Sequence, residues 1–454
     1  MLFNCVSGKS QLMLHKNINR RQFLKGATAA VGFPYVVCSS ALGKAGTIAP
    51  SNRICVGVIG VGEQGNFVLG NFLNQDDAQV IAVCDVDKGR RDRTAQSVDQ
   101  HYQKKECAAY NDYRKLLARD DIDAVLIATP DHWHVLCATA ATRAGKDMYM
   151  EKPLGLNVSE GQALQAVVKR YGTVFQFGTQ QRSSVQFRRA CELVCNGRIG
   201  KLHTINVWAP PSVAGGSTKA APIPDGLDYD MWLGPAPFRQ YTHDRCASVW
   251  EKKFWWFNSD YCLGWISGWG IHPVDIALWG AAGLLAGPIE VEGMGIFPYE
   301  GLCDTATYWN VKLNYASGVT MNFLSNPPPK EWSDRYRKII DHGTAFEGTE
   351  GWIHVNRNEV NVSDESIKFS DRPNNIKLYE STNHTRNFLD CVKSRATTIC
   401  PLEEAHQADI VCQISDIAIR LERKLKWDME KEMFIGDNIA NRMLSRAMRS
   451  PWTL

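Results

Sequence analysis

Neither sign of charge dominates this chain: 51 Lys and Arg stand against 48 Asp and Glu, a net +3. A nucleic-acid binder needs a basic field and an acidic tail needs the opposite, so no nucleic-acid partner is expected. No apolar run approaches the roughly 20 residues that cross a bilayer as a helix, so no stable membrane span is expected either. Internal repeats and low-complexity blocks are missing, which excludes solenoids and linker arrays. Cysteine is not scarce, at 14 residues, but it forms no Cys-x-x-Cys pair and does not cluster with His at zinc spacing, so no metal site is expected. Cys55 and Cys84 sit in apolar strand-like runs, and Cys391 and Cys412 in helical patterns; all four read as small buried hydrophobes. What the chain does have is length, 454 residues, enough for two full cores. It also has 14 Trp, many of them between Trp208 and Trp279. Core packing accounts for most buried Trp, yet such a cluster also suits the apolar faces of sugar rings.

The first residues stand apart. Asn19-Arg20-Arg21-Gln22-Phe23-Leu24-Lys25 precedes a mildly apolar run from Gly26 to Val37 and then small residues. This pattern resembles a twin-arginine export signal, so residues 1–45 are set aside as a leader, and a periplasmic or otherwise exported protein handled by that machinery is expected. Such a route moves folded proteins, so a cofactor could be loaded before export.

Arg53 to Ile59 reads as a buried parallel strand that runs directly into Gly60-Val61-Gly62-Glu63-Gln64-Gly65 and then a helical pattern at Phe67, Val68 and Phe72. Gly60 permits the tight turn, Gly62 lets backbone approach a pyrophosphate, and Gly65 lets helix and strand pack closely. A second strand, Val80 to Cys84, ends at Asp85, where a carboxylate accepts from ribose hydroxyls and repels a 2′-phosphate. NAD is therefore expected as cofactor, with NADP possible because Lys88, Arg90 and Arg91 follow; a solvated helix face is the plainer reading of those three. A third strand is expected at Ala124 to Ala128, delivering Thr129 and Pro130 to the carboxyl edge of the sheet. His132 and His134 follow as cleft-lining or helix-start residues; they lack the partners of a metal pair.

Met148 to Met150, leading into Glu151-Lys152-Pro153, closes this half. With the upstream glycine fingerprint, it resembles the glucose–fructose oxidoreductase, inositol dehydrogenase and MocA (Gfo/Idh/MocA) family. The likeness extends through Gly264 to Trp279, Gly348 to Trp352 and Asn383 to Trp452. It implies an α/β fold: a Rossmann doubly wound parallel sheet at about 52–175, then an α+β substrate domain at 176–454 with an open, mainly antiparallel sheet. It implies a C-terminal segment returning to the first domain, and a homo-oligomer joined through the open sheet. It also places Glu151 and Lys152 at the cofactor, with Lys152 beside the nicotinamide and in contact with the substrate hydroxyl, a position suited to proton relay.

In the second half, Trp309, Val311, Leu313 and Tyr315 alternate, turn through Ala316-Ser317-Gly318, and alternate again at Val319, Met321 and Phe323, which predicts a hairpin. Phe187, Ala190, Cys191 and Val194 form a helical stripe ended by Gly197, and Ile410 to Leu421 carries another. The segment Asn258 to Asp275 holds the candidate substrate residues Asp260, Trp269, His272 and Asp275. The family resemblance makes His272 catalytic with Lys152, and implies an Asp four residues before it. Here that position is Gly268. Three possibilities follow. Another carboxylate, Asp260 being nearest, enters the cleft; or the gap admits a bulkier glycoside; or catalysis is lost. The leading expectation is an NAD(P)-dependent oxidoreductase acting on a secondary hydroxyl of a sugar, glycoside or polyol with a retained cofactor. Its rivals are a redox-neutral glycosidase working by oxidation, elimination and reduction, and a non-catalytic sugar-binding protein.

Overall fold

A computed structural model describes residues 48–49, 52–247, 254–281, 283–369 and 376–454. The expected export signal at Arg20 and Arg21 lies outside the described residues. Arg53–Leu454 forms one compact unit.

The continuous apolar runs of the first half become a parallel sheet buried on both faces. Its strands are β1 (Ile54–Ile59), β2 (Ala78–Cys84), β3 (Ala108–Tyr110), β4 (Ala124–Ile127), β5 (Asp147–Met150) and β6 (Phe175–Phe177), in the order β3-β2-β1-β4-β5-β6. The strand expected third in the chain is thus the fourth. Ala108–Tyr110 precedes it as a three-residue strand paired to β2, too short to leave an apolar signal. Strand order reverses between β1 and β4, so a crevice opens at their carboxyl ends, where ligands of such sheets bind.

The second sheet has nine strands: β7 (Leu202–Ala209), β8 (Ile289–Ile296), β9 (Tyr308–Tyr315), β10 (Thr320–Ser325), β11 (Gly343–Gly348), β12 (Gly351–Val355), β13 (Val360–Val362), β14 (Leu425–Asp428) and β15 (Met433–Phe434). Their order is β13-β12-β11-β7-β10-β9-β8-β14-β15, antiparallel throughout except for the parallel pair β7 and β10. The expected hairpin is β9 and β10, with Leu313 facing Met321 and Val311 facing Phe323. Trp309, Val311, Leu313 and Tyr315 point into a core shared with helices Val185–Cys195, Ile271–Gly280 and Leu402–Leu421. Cys84, Cys391 and Cys412 are free and buried, and Cys55 is free and half-buried.

Late in the chain, helix His384–Ser394 lies against the first sheet. Phe388 meets Phe72 and Tyr149 edge-on at 6.1 Å each. Around that apolar contact, Arg386 holds both oxygens of Asp77, at 2.6 and 2.9 Å, and Lys393 joins the same carboxylate. Arg395 likewise reaches Asp147 at the start of β5.

Candidate active site

The crevice at the carboxyl ends of β1, β2, β4 and β5 is a cleft of about 530 Å³. Gly60 to Gly65, Asp85, Thr129, Pro130, His134, Glu151 and Lys152, the residues expected to hold a dinucleotide, all line it. The glycines divide the labour as the fingerprint requires. Gly60 has φ of +88°, and a Cβ there would lie 2.5 Å from the Ala128 carbonyl oxygen. A Cβ on Gly65 would lie 2.1 Å from the Gly60 carbonyl oxygen, so any side chain pushes helix from strand. At Gly62 an added Cβ meets nothing within 4 Å. That open position is the space a pyrophosphate needs. Helix Glu63–Leu73 starts there without a side-chain cap, and its dipole favours an anion. Asp85 accepts from the backbone N–H groups of Val61 and Asp87, both at 2.9 Å, which aims the carboxylate along the end of β2. Burial raises its proton affinity and those two donors oppose the rise. These residues therefore fit NAD.

The basic residues after Asp85 are not simply a solvated face. Arg90 and Arg93 line the cleft, Arg91 donates to the Asp85 carbonyl and to Asn111, and only Lys88 turns outward, to Asp92. Two further polar side chains, Glu151 and His134, brace the floor. Glu151 Oε1 accepts from Gln64 and Gln180 at 2.9 Å each, tying β5 to the start of the first helix. The His134 ring lies between the Pro153 and Thr129 carbonyls, at 2.6 and 2.9 Å. Burial pushes its pKa down to about 4, so the ring is neutral at pH 7 and donates to one of the two. His134 is thus a brace for the Glu-Lys-Pro turn. His132 is buried and bonded to the Trp232 carbonyl. Among the described residues no three His, Cys, Asp or Glu side chains converge as metal ligands.

Lys152 reaches across to the second half. Its Nζ donates to the Gly268 carbonyl at 3.0 Å and lies 5.3 Å from the Trp256 ring centre. Trp232, Trp255 and Trp256 line the cleft, whereas Trp208 is fully buried in a core. The tryptophan cluster is therefore split between packing and the site. Gly268 leaves room: an added Cβ would touch only Trp265 at 3.4 Å and the Cys262 sulfur at 3.9 Å.

Asp131, which the sequence reading passed over, is a further carboxylate in the lining of the cleft. It opens the short turn Asp131–Trp133 after β4, and its Oδ2 has no hydrogen-bond partner. Burial pushes its pKa up to about 7, against the opposing pull of the Cys262 thiol and the Lys152 charge. The only sequence signal for it was its place directly after Thr129-Pro130 at the strand end.

His272 is the second residue of helix Ile271–Gly280 and is 3% exposed, with Nδ1 lacking a partner; neither it nor Trp269 lines the cleft. Burial, then the Lys152 and Arg357 charges, hold it well below the usual histidine range, so its ring is neutral. The Trp269 ring packs edge-on against it at 5.5 Å. The two expected acids go elsewhere. Asp275 takes a two-pronged contact from Arg182, at 2.6 and 2.8 Å, with both side chains buried; Glu404 joins the same guanidinium. Asp260 pairs with Arg239 at 2.8 Å near the surface. Neither lines the cleft, since each is neutralised by an arginine from its own domain.

Comparison with known proteins agrees with this geometry. Residues 54–179 match the NAD-binding Rossmann-fold domain of the GFO_IDH_MocA oxidoreductase family, and residues 203–454 match the family's C-terminal alpha/beta domain. An alpha-N-acetylgalactosaminidase of Shewanella oneidensis is 38% identical over 164 residues, 32% of this chain and 35% of that protein. The chain thus spans about a third of the length of this relative and of the similar glycosyl hydrolase family 109 proteins of Shewanella. In fold, it is similar to the WlbA dehydrogenase of Bordetella pertussis, solved with NADH and UDP-GlcNAcA, with a TM-score of 0.61 and 15% identity over 82% of this chain and 97% of that one. It is also similar to a scyllo-inositol dehydrogenase of Lactobacillus casei, with a TM-score of 0.56 and 16% identity over 83% of this chain and 98% of that one. By both domain matches and by its NAD cleft, the chain belongs to the Gfo/Idh/MocA family of NAD(P)-dependent oxidoreductases.

Proposed function

We propose that this enzyme oxidises, or in reverse reduces, a secondary hydroxyl of a sugar, glycoside or polyol while keeping its cofactor bound. The observation that carries this reading is Lys152: its amine stands at the floor of the NAD cleft, held by the Gly268 carbonyl and lying beside Trp256. An ammonium has three donors. One is spent on Gly268, leaving others for a substrate oxygen. Neutral His272 takes the hydroxyl proton, and Lys152 Nζ stabilises the negative charge that develops on that oxygen. NAD, when bound, supplies the hydride acceptor. Trp255 and Trp256 offer faces for the sugar's C–H surface and exclude water from the reacting carbon.

A second reading is a redox-neutral glycosidase, and the 38% match to an alpha-N-acetylgalactosaminidase favours it. The same Lys152 and His272 would then serve a transient oxidation, with aglycone loss before the hydride returns. Export through the twin-arginine route, read from Arg20 and Arg21, fits either chemistry, because a retained cofactor can be loaded before transport. A homo-oligomer joined through the open sheet is part of the same proposal.

The test starts with the chain from Ala45 onward, purified and denatured for mass spectrometry of any bound nicotinamide. Co-purified NAD(H), and turnover that Lys152→Met abolishes while NADH binding persists, is the expected result. An accumulating keto-sugar supports the dehydrogenase, and a hydrolysed glycoside without net NADH supports the glycosidase. Protein that neither carries nor binds NAD(H) or NADP(H) overturns both.

A further inference from the structure

The dinucleotide cleft is not built by the nucleotide-binding half alone. Its adenosine end lies at Asp85, the carboxylate placed for the ribose, with Asp87, Arg90 and Asn111 in the same lining. That lining also contains Pro224, Asp225, Leu227, Tyr241 and Cys246, all from the second half of the chain. Leu227 and Val86 pack on one aromatic cluster made by Tyr229, Trp232, Tyr241 and Tyr261. A wall of aromatic and apolar side chains with a few polar groups suits the flat adenine ring.

The two halves are stitched together directly beyond Asp85. Leu227 and Asp87 form an isolated antiparallel bridge. The Lys88 N–H donates to the Gly226 carbonyl at 2.9 Å, and the Asp228 N–H donates to the Val86 carbonyl at 3.0 Å. A third tie is a side-chain latch. Asn111 Nδ2 donates to Asp228 Oδ2 at 2.7 Å, while Arg91 donates to Asn111 Oδ1 at 3.1 Å and holds the amide in place. Asp228 does not line the cleft; it also caps helix Tyr229–Leu233 by accepting from the Met231 N–H. Pro224, Asp225 and Gly226 are exposed, so these ties and Leu227 anchor the stretch.

We propose that residues 224–228 are a strap across the adenosine half of the bound dinucleotide, latched by Asn111 and Asp228, so that NAD enters and leaves only when the strap lifts. The ties run to the residues immediately after the ribose carboxylate, which puts the strap at the adenosine and leaves Lys152 and the nicotinamide free of it. Lifting breaks the three hydrogen bonds but leaves Tyr229 and Trp232 on their aromatic cluster, so the strap moves without unfolding the domain. Exchange is then slow because the exit is covered. This rests on the proposed retention of the cofactor and supplies its cause, and it is independent of which sugar is oxidised or cleaved.

The test follows NADH exchange in the full protein by stopped-flow fluorescence, with excess NAD as the chase. Asp228→Ser keeps a helix cap but is too short to reach Asn111. Losing one charge-assisted bond from the latch should speed association and release together, each about tenfold, and leave Kd nearly unchanged. That pairing marks a gate, since loss of an ordinary contact speeds release alone. A second variant joins Lys88→Cys with Gly226→Cys. A Cβ at Gly226 would lie 3.3 Å from the Lys88 Cβ, near the separation a disulfide spans. Oxidised after NADH loading, this variant should hold the cofactor at least about tenfold longer than its dithiothreitol-reduced form, and wild type treated identically should show no such difference. Unchanged rates in Asp228→Ser, faster release alone, or equal release from the oxidised and reduced double variant overturns the strap. Turnover is followed separately. Gated exchange without oxidation or cleavage of any glycoside leaves the strap standing and removes the catalytic reading, whereas turnover with freely exchanging NADH does the reverse.

Discussion

Replacing Asp131 with Asn should stabilise this protein in alkaline solution, because the native carboxyl is held where its charged form is unwelcome. Free in an unfolded chain it titrates near the ordinary 3.8; in the fold, burial moves it to about 7. The folded chain therefore binds the proton more tightly than the unfolded chain. Stability from this residue is fully present below pH 3.8, declines as the pH rises towards 7, and stays low above that. Each tenfold difference in proton affinity is worth ~1.36 kcal/mol, so ionised Asp131 costs the fold about 4 kcal/mol at pH 8. At pH 5 the cost is less than half as large, roughly 1.6 kcal/mol. Water entry and local relaxation reduce the measured gain, to about 2–4 kcal/mol at pH 8. Urea denaturation of wild type and Asp131→Asn at pH 5 and pH 8 reads the difference directly. An equal increment at both pH values, or a loss of stability at pH 8, refutes the account. The same variant should turn over more slowly, since Lys152 then faces a neutral amide where it had a titrating carboxyl.

Three further outcomes follow from the geometry. Gly62→Ala and Gly65→Ala should part company: the first folds normally but loses at least about tenfold in NADH affinity, since its methyl fills the phosphate space. The second also lowers the melting temperature, because its methyl meets the Gly60 carbonyl; calorimetry alongside NADH titration separates them. Asp275→Asn should destabilise by about 3–5 kcal/mol, the usual result of stranding one member of a buried ion pair. Its effect on KM at permissive temperature should be small, and a large selective KM change would reinstate Asp275 as a substrate contact.

The nucleotide half was legible because its signal is local. Strand, glycine turn, helix and Asp85 occupy about thirty consecutive residues, and each glycine's role depends on neighbours close in the chain. Ala108–Tyr110 escaped notice because three residues carry no period. The misplaced acids failed for a different reason. Whether a carboxylate faces a ligand depends on which arginine reaches it first, and Arg182 meets Asp275 from 93 residues upstream. No spacing within Asn258 to Asp275 contains that information. Asp131 shows the converse: an ordinary turn residue in the sequence, it becomes chemically unusual only once the second domain removes its water. The tryptophans behaved likewise, since composition counts them but only packing sorts Trp256 from Trp309.

The return of helix His384–Ser394 to the first sheet has a consequence for how the protein is made. Phe72 and Tyr149 leave the ribosome long before Phe388, the side chain that covers them. Until then the nascent nucleotide-binding half exposes an aromatic patch and leaves Asp77 without its arginine and lysine. Synthesis order and folding order are therefore out of step. A fragment ending before residue 384 lacks the side chains that cover this patch and pair with Asp77.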